Sequence, residues 1–188
     1  MEKLPVLLLA LSLSDPRPCE DLAMALDPVD PQQFQGIWAL VASGMQEPSG
    51  AETLKKRDSI TVNVTGTSYT QAIRHGNQCM YRHQDLKMEG NVFSTQVLEW
   101  KFSGTLLKSS CTDCMVVKFE GVSASQRFLD LYLFSRRREV TQEEMDEFKA
   151  QVNCLNIPEP VLMDPTKDLL GRGQPKLTPQ GAVCGDEP

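Results

Sequence analysis

Gly36-Ile37-Trp38 stands at the entry to the first strand-forming run of the chain, Trp38 to Ala42. A tryptophan beside a glycine at such an entry suits the closed end of a β-barrel. The indole plugs the floor, and the glycine lets neighbouring backbone come close. Three residues carry little by themselves, but the chain beyond them follows an all-β pattern of short strand candidates separated by turn residues. The candidates are Trp38 to Ala42, Ser59 to Val64, Tyr69 to His75, Met80 to Lys87, Asn91 to Thr95, Val97 to Ser103, Met115 to Glu120 and Gln126 to Arg136. Turn signals fall at Thr65-Gly66, Gly76-Asn77, Glu89-Gly90, Gly104 and Gly121. The expected fold class is all-β, an eight-stranded antiparallel up-and-down barrel, a strand number that can hold one small ligand.

Within this pattern Ile60, Val62 and Val64 alternate with Thr61 and Asn63, which turns one apolar face inward. Asn63-Val64-Thr65 is also an N-glycosylation sequon, so Asn63 is expected to face outward. The last strand is apolar on both faces. Leu129, Leu131 and Leu133 form one row, and Phe128, Asp130, Tyr132 and Phe134 form the other. A strand lying under a helix would be buried on both sides. The leucine row then belongs beneath the helix and the aromatic row inside the barrel, where it either fills the interior or lines a cavity.

A single C-terminal α-helix is expected after the barrel, packed on its outside. Thr141-Gln142-Glu143-Glu144 has the capping-box pattern, and Val140 with Met145 fits a hydrophobic staple. Met145, Phe148 and Val152 recur at helical spacing and give one apolar stripe that needs a surface to cover. After Cys154 the prolines and glycines from Pro158 to Gly181 predict an extended tail with little regular structure. Residues 1–14 are expected to be a signal peptide, 15–155 the barrel with its helix, and 156–188 the tail.

The leader reading rests on the apolar run Leu4 to Leu13, interrupted by Pro5 and Ser12, and on the small-x-small site Ser12-Leu13-Ser14. The run is too short to span a bilayer, and no later segment approaches ~20 apolar residues, so no transmembrane anchor is expected. The chain should be secreted and extracellular. Its 188 residues favour one domain, expected as a monomer. A net charge of -6 argues against a nucleic-acid surface, which must neutralise phosphates.

Six cysteines, Cys19, Cys79, Cys111, Cys114, Cys154 and Cys184, form an even set that an oxidising compartment would pair, with the connectivity open. Cys111-Thr112-Asp113-Cys114 could also be read as a zinc or redox motif. No second CxxC accompanies it, His75 and His83 lie on a different stretch, and Met115 to Phe119 reads as strand where a redox motif would want a helix. A structural disulfide is expected there, with no metal, no cofactor and no catalytic residue.

Taken together, these features resemble a lipocalin, in the branch containing apolipoprotein M and orosomucoid. The most specific stretches are Asn77-Gln78-Cys79, Gln126-Arg127-Phe128-Leu129, Thr141 to Phe148 and Val152-Asn153-Cys154-Leu155. The resemblance implies Cys19 joined to Cys154 and Cys79 to Cys184, which leaves Cys111 with Cys114 as a local departure. It also implies an arginine from the last strand, Arg136 or Arg137, set over Trp38 beside Gly36.

By resemblance to apolipoprotein M, a carrier of sphingosine-1-phosphate, Arg82 and Arg127 match the head-group region, with Glu120 nearby. Guanidinium groups grip phosphate through paired hydrogen bonds, and a carboxylate can meet an amine. Trp100 lies near another expected arginine position, and Gln84 stands where an aromatic is expected. Tyr132 and Phe134 are expected to line the cavity. Two registers compete. Anchoring the match on Gln126-Arg127-Phe128 turns Arg127 inward, whereas anchoring it on the helix turns the even-numbered row inward. The function implied is a secreted carrier of small lipophilic molecules, with lipoprotein particles as a further partner class. The alternatives are an orosomucoid-like binder of xenobiotics, an acute-phase interaction protein, and a thiol-dependent enzyme using Cys111 or Cys114.

Overall fold

A computed structural model describes residues 17–167 and the backbone of 176–178 and 181–183. The expected signal segment and Cys184 lie outside the described residues. A one-turn helix, α1 (Cys19–Leu22), and a 3-10 turn at Pro31–Phe34 precede β1 (Gly36–Met45). Then come α2 (Pro48–Lys55), β2 (Ser59–Thr65), β3 (Ser68–His75), β4 (Gln78–Asp85), β5 (Lys87–Glu89), β6 (Val92–Val97), β7 (Trp100–Leu107), β8 (Cys114–Val122) and β9 (Arg127–Ser135). The chain continues through α3 (Gln142–Cys154), β10 (Val161–Leu162), β11 (Lys176–Thr178) and β12 (Gly181–Val183).

Strands β1 to β9 form an antiparallel, nearly closed barrel in the order β4-β3-β2-β1-β9-β8-β7-β6-β5. Nine strands build the wall rather than the eight expected, because the expected Met80 to Lys87 strand breaks at Leu86. Its N–H donates to the Thr67 carbonyl at 2.6 Å, and its side chain turns into the barrel. Two expected turns, at Gly104 and Gly121, lie inside β7 and β8 instead. There the absent side chains leave room for aromatic rings. A Cβ on Gly104 would stand 2.0 Å from the Phe93 ring, and one on Gly121 2.2 Å from that of Phe128.

A β-bulge between Leu40 and Ala42 changes which side chains of β1 face inward. Before it, Leu40 pairs with inward Phe134; after it, Met45 pairs with Asp130 and lines the interior. Ala42 and Gly44 thereby turn outward toward α3, where Gly44 leaves space for Val152. The Val41 carbonyl at the bulge accepts from Met163 N–H at 2.9 Å, and β10 pairs beside it with β1. The tail therefore carries short strands where little regular structure was expected.

Helix α3 begins with the reciprocal capping box. Thr141 Oγ1 accepts from Glu144 N–H at 3.2 Å, and the Glu144 carboxylate accepts from Thr141 N–H at 2.7 Å. It ends with Asn156 at φ 53°, Asn156 N–H on the Asn153 carbonyl and Ile157 N–H on that of Val152, which together make a Schellman motif. Phe148, Val152 and Met145 pack on Leu129, Leu131 and Leu133, so the leucine row lies beneath the helix. The buried polar side of α3 is equally specific. Gln151 donates to the Leu22 and Lys108 carbonyls, and Glu147 accepts from Arg17 and from the backbone and hydroxyl of Ser110.

Candidate ligand cavity

The aromatic row of β9 faces inward, and the reason is the unbroken β8–β9 ladder, which runs from Cys114↔Ser135 to Val122↔Arg127. No bulge intervenes, so Phe128, Asp130, Tyr132 and Phe134 share the inner face and Arg127 points out. The barrel encloses a cavity of about 580 Å³. One wall is a chain of ring contacts, Trp100–Phe102–Phe119–Tyr132–Phe134, with successive centroids 5.9, 5.6, 5.9 and 6.2 Å apart.

The closed end is built around Trp38. Its indole N–H donates to the Phe34 carbonyl at 2.9 Å, and its ring packs with Phe34, Leu106, Met115 and Val117. The Arg136 guanidinium lies 3.7 Å from the indole centroid and donates to the carbonyls of Ile37, Gln33 and Gln35. Gly36, at φ +93°, lets it in, since a Cβ there would stand 3.0 Å from the Arg136 side chain. Arg137 lies elsewhere, bonded to Asp113 and Glu144. The Arg137 guanidinium holds the Asp113 carboxyl below its ordinary pKa.

The opposite end is the mouth. Helix α2 lies across part of it, with its Ser49, Thr53 and Leu54 and, just beyond its end, Arg57 reaching the cavity. This helix was not expected from the sequence. It starts with proline at its first turn and buries one apolar residue, Leu54, against Leu40, Ile60 and Ile73, so no stripe announces it. The β3–β4, β6–β7 and β8–β9 turns stand at the same end by the up-and-down topology.

The inward rows of β3 and β4 carry four more of the cavity's polar groups, Tyr69, Gln71, Arg82 and Gln84. Tyr69 donates to the Gln84 amide oxygen at 2.8 Å, and Gln71 is the register partner of Arg82. On β9, Tyr132 donates to Asp130 at 3.1 Å, and Asp130 also accepts from Gln46 N–H. Burial pushes the Asp130 carboxyl up. Burial, reinforced by Asp130, pushes the Tyr132 phenol well above its ordinary value, so Tyr132 acts in the cavity as a neutral hydroxyl.

Of the residues expected to bind ligand, Arg82, Tyr132 and Phe134 line the cavity. Trp100 packs on Phe102 and Phe128 at the mouth. Arg127 and Glu120 lie on the outer face as an ion pair at 3.6 Å, with the Arg127 side chain 72% exposed. Sequence reading missed Arg57, whose only signal is its place just ahead of β2. Asn63 is exposed on the outer face of β2.

Cys19 is joined to Cys154, and Cys111 to Cys114. Cys79 is also disulfide-bonded, and its expected partner Cys184 lies outside the described residues. Cys111, Asp113 and Cys114 lie together, but with the two sulfurs bonded to each other and Asp113 held by Arg137 they offer no free ligand set for a metal.

The fold superposes on solved structures. The siderocalin Ex-FABP, described as functioning through dual ligand specificities, superposes with a TM-score of 0.59 at 17% identity, over 70% of this chain and 93% of that one. Lipocalin 12 from rat epididymis superposes with a TM-score of 0.66 at 16% identity, over 78% and 91%. This is the lipocalin fold. No protein-family model and no curated protein matches the chain. At this identity the likeness to the two lipocalins concerns architecture, and the cavity chemistry belongs to this chain.

Proposed function

We propose that this lipocalin-fold chain is a secreted, monomeric carrier of small lipophilic molecules, preferring amphiphiles with an anionic head. The apolar cavity of about 580 Å³, with the Arg57 and Arg82 side chains reaching it, carries the reading. Burial of an acyl or ring system against the aromatic wall supplies affinity, at about 25 cal/mol per Å² of apolar surface, and a guanidinium supplies orientation by charge-assisted hydrogen bonds. Arg82 has no ion pair or side-chain hydrogen bond among the described residues, so its donors are available to a ligand. A phosphorylated lipid such as sphingosine-1-phosphate fits this chemistry, as does a fatty acid. A thiolate mechanism would need Cys111 or Cys114 free, whereas the two are bonded to each other. A leader over 1–14, a strapped tail over 156–188 and a glycan on exposed Asn63 belong to the same reading.

The test compares a phosphorylated lipid with its uncharged analogue by fluorescent-ligand displacement. Arg82→Ala should weaken the phosphorylated lipid about tenfold, the cost of one charge-assisted contact, and leave the analogue nearly unchanged. Arg127→Ala should change neither. Equal losses for both lipids would remove the head-group role, and no binding of any lipophile by the parent protein would remove the carrier function.

A further inference from the structure

The β6–β7 hairpin turns at Leu98-Glu99. Leu98 holds φ 55° there and is 88% exposed. Glycine or asparagine is the ordinary occupant of such a left-handed turn position, so a bare leucine is unfavourable for both backbone and solvation. It is not isolated. Val97 pairs with Trp100 across the hairpin, Trp100 contacts Phe128, and Val122 on β8 is 40% exposed and pairs with Lys101. The result is an apolar ridge on one lip of the mouth.

Charge singles out the same end. Most described lysines and arginines have an anionic partner or a side-chain hydrogen bond; those with neither are Lys56, Arg57, Arg82, Lys101 and Lys149. Lys56 and Arg57 follow α2 on one lip, Lys101 stands on the hairpin at the other, and Arg82 lies in the cavity between. In a chain of net charge -6, four of these five cations stand around one opening, where Glu99 is also exposed, and Lys149 lies apart on α3.

From the apolar ridge and the cations around the opening we infer that the barrel mouth docks on an anionic phospholipid surface. Leu98, Val97 and Trp100 enter the interface, and Lys56, Arg57 and Lys101 meet lipid phosphates. Aliphatic tips, an indole at the water boundary and flanking cations are the chemistry such a surface accepts. Docked this way, the cavity opens onto the layer in which a lipophile is dissolved, and the ligand passes between lipid and barrel without crossing water. This extends the carrier reading, and the test scores docking and carriage separately.

Flotation of the full chain with vesicles of phosphatidylcholine, alone or mixed with phosphatidylserine, measures docking. The protein should float with the mixed vesicles at low salt and be released as salt screens the contact. Acyl-brominated lipid should quench Trp100, with Trp38 at the closed end as the internal control and Trp100→Phe assigning the signal. Leu98→Asn suits the turn and should fold normally, yet weaken docking about tenfold through the lost apolar contact. Lys101→Gln should reduce the salt dependence. Both variants should keep the parent's affinity for a soluble fluorescent fatty ligand. Failure of the parent to float, undiminished flotation of Leu98→Asn, or an unquenched Trp100 would overturn docking. So would a dimer that Leu98→Asn dissolves, because a second copy would then cover the ridge. Loss of soluble-ligand binding in the parent would instead overturn the carrier reading and leave the docking result standing.

Discussion

Phe93 lies across Gly104 in a space that any side chain would fill, so the smallest substitution in the barrel wall acts on the cavity. Gly104→Ala should push the Phe93 ring toward the cavity that it lines and weaken binding of a fluorescent fatty ligand, as a displacement titration would show. A rise or no change in affinity would mean that the ring has another place to go. The two rows of β9 separate stability from binding in the same way. Leu131 is fully buried under α3, and Leu131→Ala should lower the urea-unfolding free energy by about 2–5 kcal/mol with affinity nearly kept. Phe134→Ala should reduce affinity by more than its effect on folding accounts for. These rows are legible in the sequence because a strand alternates strictly. Arg57 is not legible, because nothing local distinguishes a cavity-facing arginine from a solvated one. The inward reading of Arg127 fails on register alone, since one residue of slip exchanges the faces.

The same limits operate on whole elements. Helix α3 announces itself through cap, staple and stripe, all short-range signals. Helix α2 and the Leu86 break leave no comparable trace, because each is decided by contacts with distant strands. The bulge in β1 is equally silent, yet it lets one strand serve the cavity at both ends and the helix in between. Inserting a residue after Ala42 should therefore be more damaging than Val41→Ala, since Ser43 to Met45 would change face; thermal unfolding would rank the two. Anchoring of α3 should depend on pH. Burial alone would raise the Glu147 carboxyl, but the Ser110 hydroxyl, the Ser110 backbone N–H and the Arg17 guanidinium together hold it below the ordinary glutamate value. A lowered carboxylate contributes stability that is full above the unfolded pKa of about 4.3 and is lost as pH falls through the folded value. Glu147→Gln should thus be less stable than the parent at neutral pH, and the gap between their urea midpoints should close in acid. A gap independent of pH would assign the loss to shape and not to charge.

For the whole molecule, the long Cys19–Cys154 bridge ties the N-terminal arm to the end of α3 across 135 residues, whereas Cys111–Cys114 closes a loop of three. Removing the long one with paired alanines should cost about 2–5 kcal/mol, and removing the short one should cost less, because a short loop has little freedom to lose. The seam between β4 and β6 has a consequence of another kind. From Met80 to Asp85 the inner wall is joined to its next neighbour only by the chain turning at Leu86, and that stretch of β4 has a single ladder partner, β3, among the described residues. A fully laddered barrel has a fixed girth, because widening it breaks every rung at once. This one resembles a split ring, able to open a little at the gap for a thicker guest and spring back for a thinner one. Amide protons along β4 should accordingly exchange faster than those of β8 in the empty protein and slow when the cavity is filled.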